Sequence, residues 1–178
     1  MTWNPPTLTG FCRPSRFRGV NRCSTSRRCP SVPSAIIESE TAQEVFRQFK
    51  FEKIATEPLS GKPENLVEVI NQSQTYLVTL AATEYLLCLY PEKAFILNWG
   101  NVSGYDIEST DGTIVAECFA ATSYRSNGKL TADLKRLSAN QTALQKYEFF
   151  YAGDFSDASK KYYESKYAGV CIVKLESI

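Results

Sequence analysis

Two acidic residues, Asp106 and Glu117, lie on either side of an Asp111-Gly112 pair. An Asp-Gly pair between two β-rich segments is a strong signal for a tight hairpin turn of type I′. If these are the two central turn residues, Asp106 lies directly opposite Glu117, with Cβ atoms about 5 Å apart. Such opposed like charges are destabilising unless a cation bridges them or one carboxyl is protonated. The pair suits a hard divalent cation such as Mg²⁺, completed by waters and phosphate oxygens.

The alternative is a solvated hairpin face on which two acids happen to lie opposite each other. A turn register shifted by one residue would also separate them. The opposite face is apolar and consists of Tyr105, Ile107, Ile114, Ala116, Cys118 and Ala120. This alternation predicts that the apolar face is buried in the core and that the acidic face lies at a cleft.

The composition limits the chemistry that this chain could perform. Its 178 residues include no histidine, which excludes Ser-His-Asp and Cys-His catalysis and zinc held by histidine. The chain has neither a GxxxxGK[ST] nor a GxGxxG motif, so P-loop and dinucleotide sites are not expected. Acid–base or metal chemistry must therefore use carboxylates, lysine, tyrosine or cysteine.

The length predicts one folded domain, which we place at residues 36–178. Residues 1–35 hold six arginines and no acid, without apolar periodicity, and are predicted to be a disordered basic extension. This segment could be an arm that contacts phosphates, an organellar transit peptide, or an extension dispensable for folding, which is the interpretation we favour. No apolar run approaches a membrane span, so a cytoplasmic location without membrane contact is expected.

Periodicity in the domain predicts an order of helix, three strands, helix, strand, helix and strand. The long first helix is predicted at Pro63–Leu89, with a break left open at the polar residues 71–74. The later elements are predicted at residues 94–98, 104–109, 113–121, 128–138, 147–152, 156–167 and 169–175. A hairpin followed by strands that are linked through helices predicts an α/β fold with a mixed sheet flanked by helices.

This order, with Asp106 on the second strand and Glu117 on the third, resembles the PD-(D/E)XK nuclease superfamily, which has the restriction-endonuclease-like fold. The resemblance covers about residues 63–178. It rests on Gly104-Tyr105-Asp106 and on Glu117-Cys118-Phe119, which match the family's Asp strand and Glu-x-Lys strand. It implies an αβββαβ core whose two carboxylates hold Mg²⁺ or Mn²⁺ for the hydrolysis of DNA phosphodiester bonds. DNA is the implied partner, and a homodimer is left open.

One residue departs from the family pattern, because Phe119 stands where the family has its lysine. Some members of the superfamily supply that lysine from the following helix, and Lys129 is the matching candidate here, with Lys135 second. The alternative is that Lys129 only pairs with Asp133 at i, i+4 on an exposed helix face.

The first long helix of this fold often contributes a further acid to the metal, and Glu68 matches that position, with Glu64 as the other choice. The alternative, which is the commoner one, is an exposed acid on a helix. Three interpretations follow. The chain is a metal-dependent endonuclease, a catalytically inactive module of the same fold that binds nucleic acid or a protein partner, or an unrelated α+β domain with incidental acids.

Overall fold

The structure, a computed structural model, describes residues 41–100 and 103–178. The basic segment 1–35 lies outside the described residues. Within them the chain forms four helices and a five-strand mixed sheet, which confirms the predicted α/β class.

The helices are α1 (Ala42–Phe51), α2 (Leu66–Leu89), α3 (Lys129–Ala139) and α4 (Asp157–Lys166). A small two-strand ladder pairs β1 (Ala55–Thr56) with β2 (Pro63–Glu64). The main sheet consists of β3 (Phe95–Leu97), β4 (Ile107–Ser109), β5 (Ile114–Ala120), β6 (Gln145–Tyr151) and β7 (Cys171–Lys174). A short 3₁₀ turn, Ser126–Gly128, leads into α3.

The strands of the main sheet follow the order of the chain, from β3 at one edge to β7 at the other. The pairs β3–β4 and β4–β5 are antiparallel, whereas β5–β6 and β6–β7 are parallel. Helix α3 carries the chain back from the end of β5 to the start of β6, and α4 does the same between β6 and β7. The carboxyl ends of these three parallel strands therefore lie together, along the edge of the sheet that the strand ends form. Ligands of open α/β sheets bind beyond this kind of edge.

Both faces of the sheet are covered, so the fold has three layers. On one face, Val78, Ala82 and Leu86 of α2 pack against Ile107 and Phe149. On the other face, a second core forms beneath α3 and α4 from Val115, Phe119, Leu130, Leu134, Leu137, Phe150, Tyr167 and Ile172. Burial on both faces explains why β5, and β6 from Tyr147 onward, are apolar or aromatic apart from one glutamate each. In the described part of the chain, no helix combines the length and the hydropathy needed to cross a bilayer.

The β4–β5 hairpin has the predicted register but a different turn. Glu108 pairs with Val115, as expected. The predicted type I′ turn is wrong, because Asp111 does not adopt the positive φ that such a turn requires. Instead, the amide of Gly112 donates to the carbonyl of Ser109 at 2.8 Å. The carboxylate of Asp111 also accepts from the Ser109 hydroxyl at 2.7 Å, so side-chain hydrogen bonds hold the turn in the predicted register.

The long helix differs from the prediction at its start. Helix α2 begins at Leu66, and Asn65 caps it by accepting a hydrogen bond from the amide of Glu68 at 2.9 Å. Pro63 belongs to β2 rather than to this helix. The polar residues 71–74 do not break α2, which continues for 24 residues.

Candidate active site

Asp106 lies one residue before β4, where two hydrogen bonds fix it, one to its backbone carbonyl and one to its carboxylate. Its carbonyl accepts from the amide of Asn98 at 3.0 Å, and its Oδ2 accepts from the amide of Cys118 at 2.7 Å. The observed hairpin register, continued by one residue pair, places Asp106 opposite Glu117. The structure therefore brings the two predicted carboxylates together.

The side chain of Glu117 does not lie at an open cleft, as the sequence predicted, but under α3. The residue is only 1% exposed, and its neighbours Val115 and Phe119 on the same face of β5 are buried too. Burial, together with the negative charges of Asp106 and Asp133, raises the pKa of Glu117 to about 8. Glu117 is buried because α3 crosses directly over this face of β5. The alternation of polar and apolar residues along the strand does not show that a helix covers it.

Helix α3 provides a row of charged residues at positions i, i+4 and i+7, which share one helix face. The Lys129 ammonium donates to Asp133 Oδ1 at 2.7 Å, and Arg136 Nη1 lies 2.6 Å from Glu117 Oε1. The Arg136 guanidinium also lies 4.6 Å from the centre of the Tyr105 ring. Tyr105 thus belongs to the α3 side of the sheet and not to the apolar face for which it was predicted.

Lys129 is the first residue of α3, and its charge acts on both predicted carboxylates, Glu117 and Asp106. Burial disfavours the charged amine, but the hydrogen bond and the charge of Asp133 outweigh it and raise the pKa of Lys129. The side chain is therefore an ammonium at neutral pH. The predicted pairing with Asp133 occurs, but Asp133 is only 5% exposed, so this is not a pair on a solvated helix face.

Sequence reasoning missed Glu148, which lies on β6 directly beside Glu117 in the parallel register. Glu148 has no exposed surface, and neither of its carboxyl oxygens has a hydrogen-bond partner among the described residues. Burial and the charges of Asp133 and Glu117 raise the pKa of Glu148 well above its usual range. Both influences favour the neutral form of this carboxyl.

Two signals in the sequence could have identified these additional residues. Glu148 is an acid inside the apolar run of a predicted strand, between Tyr147 and Phe149. An acid buried at such a position needs a special environment. Asp133 and Arg136 follow Lys129 at the spacing of one helix face.

A cleft of about 660 Å³ opens beyond the carboxyl end of β5, between the first half of α2 and the start of α3. Asp106 and Lys129 line it, and Glu68 lies on its α2 wall. The Glu68 side chain is 43% exposed and lies 3.9 Å from the Lys50 ammonium. Glu117 is not among the residues that line this cleft, since it lies beneath α3. Lys135, the second choice for the lysine, is exposed elsewhere on α3.

Carboxylate oxygens from Asp106 and Glu117 are donors suited to Mg²⁺ or Mn²⁺. Across residues 41–100 and 103–178, no group of three or more His, Cys, Asp or Glu residues is arranged to hold a metal ion. Mg²⁺ is commonly held by only one or two carboxylates and keeps several waters, so two acids are enough in number, but only Asp106 of the pair lines the cleft. Arg136 is paired with Glu117 and would have to share that carboxylate with a metal.

No protein-family model, curated protein or solved structure matches this chain.

Proposed function

We propose that this chain is a metal-dependent endonuclease that hydrolyses DNA phosphodiester bonds on a restriction-endonuclease-like αβββαβ core. The order α2, β3, β4, β5, α3, β6 supports the proposal, because it is the order that the resemblance implies. The mixed sheet and the position of Asp106 opposite Glu117 support it as well.

One observation carries the proposal, namely the location of Lys129. Phe119, at the family's lysine position, is buried and stacks on Phe150 with ring centres 5.3 Å apart, so it offers no charge to a substrate. Lys129 instead lines the cleft together with Asp106, and its charge reaches Glu117. The following helix thus supplies the cation that the strand lacks.

Each residue has a distinct task in this proposal. Asp106 and Glu117 would hold the cation, and Glu68 lines the same cleft from α2. When bound, Mg²⁺ or Mn²⁺ polarises the phosphate and lowers the pKa of a water. Lys129 remains protonated, so it stabilises negative charge on the phosphate and does not act as a base. Asp133 fixes the position of the Lys129 ammonium.

A second function, that of an inactive module that binds nucleic acid or a protein partner, is favoured by a different observation. Arg136 Nη1 already lies 2.6 Å from Glu117 Oε1, and a cation in that position can take the place of a metal beside this carboxyl group. With Phe119 on the strand, a chain of this kind would keep the fold without the reaction.

Cleavage of supercoiled plasmid DNA separates the two functions. The full-length chain should nick the plasmid with Mg²⁺ or Mn²⁺ and not with EDTA, and Asp106→Asn should lower the rate by at least about 100-fold. Asp157→Asn is the matched control, because Asp157 is an exposed acid on α4 outside the cleft. If the folded chain binds DNA but does not cut it with any divalent metal, the inactive module is the correct function.

A further inference from the structure

A second cavity of about 510 Å³ adjoins the cleft that contains Asp106. The two cavities share Gln72, Tyr76 and Gly100, which form the wall between them. Trp99 and Lys62 line only the second cavity. A polymer that places one unit in the cleft can therefore place the next unit in the second cavity.

The aromatic lining of this cavity is fixed in position. The rings of Tyr76 and Trp99 meet edge to face, with centres 5.1 Å apart. The Tyr76 hydroxyl donates to the carboxylate of Glu57 at 3.0 Å, and the same carboxylate accepts from the amide of Leu59. Glu57 is 8% exposed, so this contact joins the β1–β2 loop to α2 from within. The Trp99 ring thus packs against a neighbour that is itself fixed by a hydrogen bond.

Space and hydrogen bonding in the shared wall suit a flat polar ligand. Gly100 has no side chain, and a Cβ atom there would lie 3.5 Å from the Tyr76 hydroxyl. Gln72 lines both cavities, and its side-chain amide has one acceptor oxygen and two N–H donors for a ligand. A planar heterocycle that stacks on an aromatic ring and donates one hydrogen bond matches both features.

The charges in the cavity favour a neutral group over a phosphate. Its lining carries two acids, Glu57 and Glu64, against one base, Lys62. A phosphate would face a net negative wall, whereas a nucleobase is uncharged and its amino groups can donate to acceptors.

We infer that the second cavity is a nucleobase subsite, where Trp99 stacks on the base next to the phosphate in the Asp106 cleft. The inference rests on the proposed function, since it takes a DNA strand as the substrate. The inference also narrows the substrate to DNA whose bases can unpair locally. In a fully paired and stacked duplex, no single base can enter the second cavity.

Tryptophan emission tests the subsite directly. The chain has two tryptophans, so Trp3→Phe in the full-length protein leaves Trp99 as the reporter. A single-stranded oligonucleotide of about 12 nucleotides should quench this emission, and the same strand built of abasic units should quench it much less. Equal responses to both strands, or no response to either, would overturn the subsite.

Binding of a labelled oligonucleotide, followed by fluorescence anisotropy with Ca²⁺ present, gives a second measurement. Trp99→Ala should weaken binding about tenfold, which is within the range for the loss of one stacked base. Trp99→Phe, which keeps a ring, should restore most of the affinity. Phe46→Ala is the matched control, because Phe46 is 71% exposed and lines neither cavity. Unchanged binding by a folded Trp99→Ala variant would contradict the inference, and if that variant does not fold, the Trp3→Phe measurement decides.

The subsite and the nuclease activity can fail separately. Binding that depends on Trp99 without cleavage supports the subsite and contradicts the nuclease. Cleavage that Trp99→Ala leaves unchanged supports the nuclease and overturns the subsite. If the parent chain binds no oligonucleotide at all, the subsite is wrong, and plasmid cleavage alone decides the nuclease.

Discussion

Lys129 is the residue on which the proposed activity depends most. Its ammonium is held by the buried carboxylate of Asp133 and lies at the cleft with Asp106. Lys129→Ala should reduce plasmid cleavage by about 100-fold or more, because one electrostatic group at a developing charge has an effect of that size. Metal affinity should change little, since an ammonium is not a ligand. Lys135→Ala, an exposed lysine on the same helix, is the control, and equal cleavage by both variants would contradict the migrated lysine.

Asp106 has a structural task as well as its proposed role at the metal. Its Oδ2 satisfies the amide of Cys118, a residue that is 1% exposed. Asp106→Asn keeps an acceptor oxygen and removes a charge beside Glu117, so the metal-free protein should remain as stable as the parent. Asp106→Ala leaves a buried amide without a partner and should cost about 1–3 kcal/mol. Urea unfolding of the two variants provides the measurement, and an equal loss in both would mean that the charge itself stabilises the fold.

Glu57 makes stability depend on pH in the acid range. Burial alone would raise its pKa, but hydrogen bonds from Ser60, Leu59 and Tyr76 outweigh it and lower the pKa to about 2. Because the folded-state pKa lies below the unfolded value, this stabilisation is present above about pH 4.5 and is lost as the pH falls towards 2.

Replacing Glu57 by Gln should cost about 1–3 kcal/mol at pH 7, since the amide accepts these hydrogen bonds less well than the carboxylate. The unfolding curves of the parent and Glu57→Gln should converge between about pH 4.5 and pH 2. Glu176→Gln, at an acid whose side chain is 86% exposed, should show no such convergence. A constant difference at every pH would show that Glu57 stabilises the loop by packing alone.

At the scale of elements, α3 is joined to the hairpin through polar contacts as well as through leucines. Arg136 pairs with Glu117, donates to the carbonyl of Gly104 and lies over the Tyr105 ring. These contacts hold the segment before β4, whose strand begins at Ile107 and not at Gly104 as predicted. Gly104 has a φ of 125°, which lies outside strand geometry and explains the shorter strand.

A double-mutant cycle measures this connection. Arg136→Met should destabilise the fold by about 1–3 kcal/mol, because it leaves the buried Glu117 without its ion-pair partner. The expected loss is modest because the Arg136 side chain is 47% exposed, so solvent weakens the pair. Glu117→Gln in the same chain should recover part of that loss, so the two changes together should cost less than their sum by about 1 kcal/mol. Lys135→Met is the control on an exposed position of α3. Additive effects would show that the ion pair does not couple the helix to the sheet.

At the scale of the whole molecule, the described residues by themselves form both hydrophobic cores of the sheet. Cores on both faces of the sheet are built from residues between Val78 and Ile172. Deleting residues 1–35 should therefore leave the melting temperature unchanged. A decrease of more than about 3 °C in a thermal melt would show that this segment stabilises the fold by roughly 1 kcal/mol.

The sequence by itself determined the elements and their local pairing. The period of two in the hairpin residues and their Asp-Gly turn predicted the register that places Asp106 opposite Glu117. Leu130, Leu134 and Leu137 follow one another at i, i+4 and i+7, which is the spacing of one helix face, and they form the buried face of α3. Both patterns involve residues that are close together in the chain. The periods of the helix and the strand determine which of these neighbouring residues share a face.

Only the tertiary structure decided which charges share the interior. The parallel pairing of β5 with β6 places Glu148 beside Glu117. The path of α3 across these strands brings the charges of Lys129 and Arg136 to Glu117. Parallel strands are joined through a crossover, so their register is set by how the helix packs and not by a turn. The burial of Glu117 and its raised pKa follow from that packing, which no periodicity in the sequence encodes.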